Sequence, residues 1–131
     1  MFTRRNGTIE NFCIRLSIYN PMGGYMNIIK YHKLVRDRIP EIIESAGKKC
    51  ICTELSDDAY IAMLDAKLNE ELAEYQESKS LEELADLLEV MQATVLARGY
   101  TLEELERVRA EKAAKRGGFA KRLLLEEVQE P

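Results

Sequence analysis

Three helix-start signals stand at short intervals in this chain and constrain its fold more than any other feature. Ser56-Asp57-Asp58 offers an N-cap hydroxyl followed by negative charge in the first turn. Ser80-Leu-Glu-Glu83 and Thr101-Leu-Glu-Glu104 both fit the capping box, in which a hydroxyl and a carboxylate satisfy two otherwise orphaned backbone donors. The spacing predicts helices over about 57–77, from Ser80 to near Gly99, and from Thr101 to about Ala114, where Gly117-Gly118 stops the run. Such short links imply antiparallel neighbours. A shorter helix is expected over 34–46, with Pro40 near its first turn and Gly47 ending it. Lys48 to Thr53 alternates like a strand and Phe119 to Val128 reads as extended, so these two segments are expected to pair. The fold class expected is mainly α, an antiparallel helical bundle with a small β ribbon.

Residues 1–25 read differently. Phe12 to Tyr19 suits one strand, after which Asn20-Pro21 and Gly23-Gly24 break the chain. From Met26 onward the text is coherent, and Gly23-Gly24 would be encoded by guanine-rich codons just upstream, as a ribosome-binding site would be. Residues 1–25 are therefore read as an extension from a misassigned start codon, with 26–131 as one domain. An accessory strand is the alternative.

At 131 residues the chain suits one domain, and a net charge of −4 argues against a general nucleic-acid binder. Three cysteines (Cys13, Cys50 and Cys52) and one histidine, His32, form neither a disulfide framework nor a zinc set. No apolar run reaches membrane-spanning length, and Asn11 and Arg15 interrupt any signal-peptide core. A cytoplasmic location with reduced thiols is the expectation.

Acids stand where apolar residues belong. On the first long helix Tyr60, Ile61, Leu64, Leu68, Leu72 and Tyr75 form a stripe that contains Glu71 and borders Glu74, while Glu70 and Glu77 point to solvent. The next helix is apolar on two faces: Leu84, Leu88, Met91 and Val95 on one, Val90, Ala93 and Ala97 on the other, with Glu83 and Asp86 among the latter. A helix of that kind is normally enclosed by neighbours, so its acids are expected to be enclosed too. Buried carboxylates are costly unless they are paired or bind a metal. Two i, i+3 acid pairs on antiparallel helices converge four hard oxygen donors, which suits magnesium or manganese. The alternative is structural: Glu83 as part of a capping box, and Lys67 as the ion-pair partner of Glu71.

Lys67-Leu-Asn-Glu-Glu-Leu-Ala-Glu74 followed by Glu82-Glu-Leu-Ala-Asp-Leu-Leu-Glu89 resembles the all-alpha nucleotide pyrophosphohydrolases. Lys33-Leu-Val-Arg-Asp-Arg-Ile-Pro40 and Arg116-Gly-Gly-Phe119, with Lys112 ahead of it, are similar to the MazG-like, phosphoribosyl-ATP pyrophosphohydrolase-like branch. The link between Glu74 and Glu83 is shorter than the usual MazG pattern. The resemblance implies that Glu71, Glu74, Glu83 and Asp86 hold magnesium, with Glu89 in an outer-shell or base role. It implies release of pyrophosphate from a nucleoside triphosphate. Lys112 and Arg116 would then meet phosphate oxygens, or else complement a helix C-terminus; Arg36 would reach substrate, or pair structurally with Asp37. A phosphoribosyl-ATP substrate and a non-catalytic helical dimer are the rival readings. The twofold apolar helix and the resemblance both imply a homodimer or homotetramer.

Overall fold

A computed structural model describes residues 13–131. The part of the expected extension before Cys13 lies outside them, including Phe12, where the first strand was expected to begin. Strands β1 (Ile14–Asn20) and β2 (Gly24–Lys30) are followed by helices α1 (Ile39–Ser45), α2 (Asp57–Ser78), α3 (Leu81–Ala97) and α4 (Leu102–Arg116). The described residues are thus mainly helical with one two-stranded antiparallel ribbon.

The ribbon is not the one the sequence suggested. β1 pairs with β2 in a hairpin, Asn20 opposite Gly24 and Ile14 opposite Lys30. Asn20 makes the turn: its carbonyl accepts from Gly23 N at 3.1 Å and its side chain accepts from Met22 N at 3.0 Å. Gly24 leaves the turn at φ 94°, open only to a residue without a Cβ clash. Residues 48–53 run as a loop, and 119–128 do not pair with them. A turn from Phe119 to Arg122 interrupts the second segment, with Arg122 at φ 57°. The hairpin crosses the 25/26 boundary, because β2 contains both Tyr25 and Met26.

Helix ends fall close to the capping signals. Ser56 Oγ accepts from Ala59 N at 3.3 Å at the start of α2, and α4 opens on a complete Thr101–Glu104 box. α1 begins later than expected, at Ile39. Pro40 in its first turn has no N–H to donate and its ring crowds the carbonyl four residues earlier, which blocks extension toward Leu34.

α2 and α3 pack as an antiparallel hairpin, and Arg98 beyond the end of α3 reaches Asp65 near the start of α2 at 2.8 Å. α4 touches α3 alone, and no described helix packs on the ribbon. The buried apolar centre is Leu64, 2% exposed, facing Val90. At 100° per residue, Glu71 points within about 20° of Leu64, while Leu72 is turned about 80° away. Glu71 is accordingly buried and Leu72, placed in the stripe on sequence, is 45% exposed.

On α3 only the Val90 face is covered. Leu84, Leu88 and Met91 are exposed, so the enclosure expected on both faces is absent among the described residues. The chain exposes 12189 Å², whereas a compact monomer of 15.0 kDa would expose about 7,000 Å². Removing the most that residues 1–12 could contribute, about 2,000 Å² at the unfolded-chain rate, leaves a large excess. No described helix is long and apolar enough to cross a membrane.

Candidate metal centre

Glu71 comes from the centre of the apolar stripe of α2, and Glu83 and Asp86 from the covered face of α3. Each contributes one carboxylate oxygen to a group whose members all lie within 4.8 Å of one another. Glu71 is only 6% exposed. Lys67, one turn earlier, places Nζ 3.2 Å from Glu71 Oε1 and 3.7 Å from Glu70 Oε2. That pair satisfies one side of Glu71. Its Oε2, and Oε2 of Glu83, are buried with no hydrogen-bond partner. Two buried carboxylate oxygens without partners, on residues whose carboxylates converge, amount to a site with more negative charge than the protein neutralises.

The capping alternative for Glu83 is resolved by comparing two helix starts. At α4, Glu104 N donates to Thr101 Oγ1 at 3.1 Å and Thr101 N donates to Glu104 Oε2 at 2.7 Å, closing the box. At α3 only half of it forms: Glu83 N donates to Ser80 Oγ at 3.3 Å. Ser80 N donates instead to Ser78 Oγ at 3.2 Å. The backbone of Glu83 is capped while its carboxylate stays free to enter the acid group.

Glu74, half-buried on the next turn of α2, lies beside this group rather than in it. Burial, then the charge of Glu71 and a side-chain hydrogen bond shared with it, then the charges of Glu83 and Glu70, push its carboxyl up to about 7. Such a group exchanges a proton near neutral pH. Glu70, read on sequence as solvent-facing, is half-buried by Lys67; Glu77 is exposed as expected.

Asp86 is less enclosed than the two-faced helix implied. Its side chain is 40% exposed, and Arg36 Nη2 lies 2.5 Å from its Oδ1. Arg36 therefore pairs across the fold with Asp86, not with its neighbour Asp37. The segment carrying it is anchored by Lys33 and Leu34, which line a small groove on α2 with Met63, Ala66, Lys67 and Glu70. The acid group is thus flanked by Lys67 and Arg36; Lys33 lines the neighbouring groove, its ammonium over the Tyr31 ring at 5.6 Å. Of these, Lys33 was not singled out on sequence; its only signal was its place in the Lys33–Pro40 segment.

Glu89, one turn beyond Asp86, does not join the group. It is exposed and lines an open groove with Tyr60, Gln92, Ala93, Leu96 and Leu102. Lys112 and Arg116 are exposed on α4, which makes no contact with α2, so this chain's own α4 does not carry them to the acids of α2. Among the described residues the metal-competent group contains neither cysteine nor histidine. Cys13, Cys50 and Cys52 are free thiols, and His32 is exposed.

No family profile matches the chain, and no solved structure matches it. The chain is 60% identical over 42 residues to an uncharacterized protein of Mycolicibacterium smegmatis. The match covers 32% of this chain and 43% of that protein, so it spans less than half the length of the relative.

Proposed function

We propose that the chain is a magnesium-dependent nucleotide pyrophosphohydrolase that splits the α–β phosphate bond of a nucleoside triphosphate into a monophosphate and pyrophosphate. The observation that carries this reading is the convergence of one carboxylate oxygen each from Glu71, Glu83 and Asp86 within 4.8 Å of one another, in a group where Glu71 and Glu83 each also keep a buried oxygen without a hydrogen-bond partner. Hard carboxylate donors suit magnesium, or manganese in its place. The resemblance of the Lys67–Glu74 and Glu82–Glu89 segments to the MazG-like enzymes supports the same chemistry.

Glu71, Glu83 and Asp86 would hold the cation, with Glu74 beside them. A bound divalent cation supplies charge neutralisation and polarises phosphoryl oxygens. The remaining work falls to the chain. Glu74, one turn from Glu71 and beside the acid group, is the carboxylate placed to accept the proton of the attacking water. Lys67 and Arg36, paired with Glu71 and Asp86, are the cations that orient a polyphosphate. Lys112 and Arg116 reach phosphate only if another copy brings its α4 to the site.

A homodimer or homotetramer belongs to this reading. The exposed area well above that of a compact monomer leaves surface for a partner copy to cover, and the bare Leu84–Leu88–Met91 face of α3 is a ready contact. The rival reading, acids held in structural ion pairs, accounts for Lys67–Glu71 and Arg36–Asp86. It leaves the buried, unpartnered Oε2 of Glu83 unexplained.

The test is a magnesium-dependent pyrophosphate-release screen over canonical, damaged and phosphoribosyl nucleotides. Release from a triphosphate is expected. Release only from phosphoribosyl-ATP would move the substrate to that compound, and silence throughout would overturn the enzymatic reading.

A further inference from the structure

We propose that Arg36 is an exchangeable counter-ion of the acid site: it closes Asp86 while no cation is bound, and shifts to the phosphate oxygens of the ligand once one is. The inference rests on the metal reading and goes beyond it by assigning a two-position role to one side chain.

Three observations carry it. Arg36 Nη2 lies 2.5 Å from Asp86 Oδ1, although the two residues are 50 apart in sequence. Both side chains are substantially open, at 56% and 40%, so the pair is on the solvent side of the group and is cheap to break. The unpartnered Oε2 atoms of Glu71 and Glu83 are by contrast buried, with Glu71 itself more than nine-tenths buried, and Arg36 bonds neither of them. The guanidinium therefore neutralises the rim of the site and cannot satisfy its floor.

A divalent cation that satisfies the floor must share Asp86 with Arg36, and the two positive charges repel. Arg36 gains by letting go. Its segment stays beside the site, since Lys33 and Leu34 just before it line a groove with residues of α2. Its planar fork of donors then stands at the mouth of a site whose ligand brings phosphate oxygens, the geometry that a guanidinium binds best. Breaking an exposed ion pair costs little, so the exchange sets selectivity more than stability: the rim is fully neutral only when cation and phosphate are both present.

The experiment measures Mn²⁺ alone and inorganic pyrophosphate in the presence of saturating Mn²⁺, by calorimetry and by Mn²⁺ paramagnetic resonance, on the wild-type chain and Arg36→Ala. Removing a competitor should tighten Mn²⁺ binding about two- to fivefold, the worth of an exposed ion pair. Removing a phosphate ligand should weaken pyrophosphate binding about tenfold or more, since hydrogen bonds to charged groups are worth about 1.5–3 kcal/mol. The opposite signs matter, because a merely damaged site would weaken both. In an Asp86→Asn background the Arg36→Ala gain in Mn²⁺ affinity should vanish, and Arg36→Lys should restore part of the competition. If the wild-type chain binds no Mn²⁺, the metal reading itself fails. If it binds Mn²⁺ and Arg36→Ala binds it equally or more weakly, or if pyrophosphate binding is unchanged, the exchange is overturned while the metal site stands.

Discussion

Replacing Glu71 by Gln separates a metal site from a set of structural ion pairs. The substitution keeps shape and removes one charge from a residue 6% exposed. At an effective dielectric of about 20, two carboxylates 4.8 Å away repel Glu71 by about 7 kcal/mol in total. Lys67 at 3.2 Å attracts it by about 5 kcal/mol on the same scale. The opposing terms nearly cancel, so Glu71→Gln should change metal-free stability by no more than about 2 kcal/mol. Magnesium breaks this balance. At a hundredfold excess over its dissociation constant it should add about 2.7 kcal/mol to the wild-type chain, or about 10 °C in Tm for a domain of this size. The variant, with one charged donor lost, should keep less than about a third of that rise. The assay is thermal unfolding followed by circular dichroism, with magnesium against EDTA at matched ionic strength so that general screening is held constant. A wild-type Tm indifferent to magnesium, or a Gln variant with the full rise, would refute the reasoning.

Two further outcomes are expected from the packing and the charges. Glu74 carries a carboxyl raised from 4.5 to about 7 in the fold, so its contribution to stability is fully present below about pH 4.5 and is lost as pH rises through 7. The full shift would convert to about 3.4 kcal/mol, and because the group is only half-buried screening reduces this to about 1 kcal/mol. Metal-free Glu74→Gln should therefore flatten the decline between pH 5 and 8 in a denaturant titration; an unchanged decline would remove Glu74 as its source. Leu64→Ala, at a site 2% exposed, should cost about 2–5 kcal/mol. Leu72→Ala, at a site 45% exposed, should cost under about 1 kcal/mol by chemical denaturation, and equal costs would contradict the placement of the core.

The helices were legible in the sequence because their ends carry local chemistry. Ser56, Ser80 and Thr101 all serve as N-caps, and the residue-level facing of Glu71 and Val90 follows from 100° per residue. The ribbon was not. Asn20, Gly23 and Gly24 were read as a break, yet the same residues make the hairpin turn, since turn chemistry specifies a reversal of the chain and leaves the pairing of its flanks open. Lys48 to Thr53 alternates without a partner, and pairing is a long-range property that alternation cannot supply. At the site, Glu71 and Glu83 were foreseen, but the Arg36–Asp86 pair joins residues whose meeting depends on how a loop lies over two helices. The covering of α3 was over-read for a related reason: an apolar face announces a need for a neighbour without naming the chain that meets it.

The serine pair at the start of α3 has a mechanical consequence. Ser78 Oγ accepts from Ser80 N, and Ser80 Oγ accepts from Glu83 N, so the first turn is anchored without any carboxylate. Glu104 of α4 cannot swing away without opening its own helix. Glu83 is under no such tether: its carboxylate makes no bond to the helix start, while the backbone beneath it stays clamped. Rearrangement at the site is thereby uncoupled from fraying of the helix that carries it.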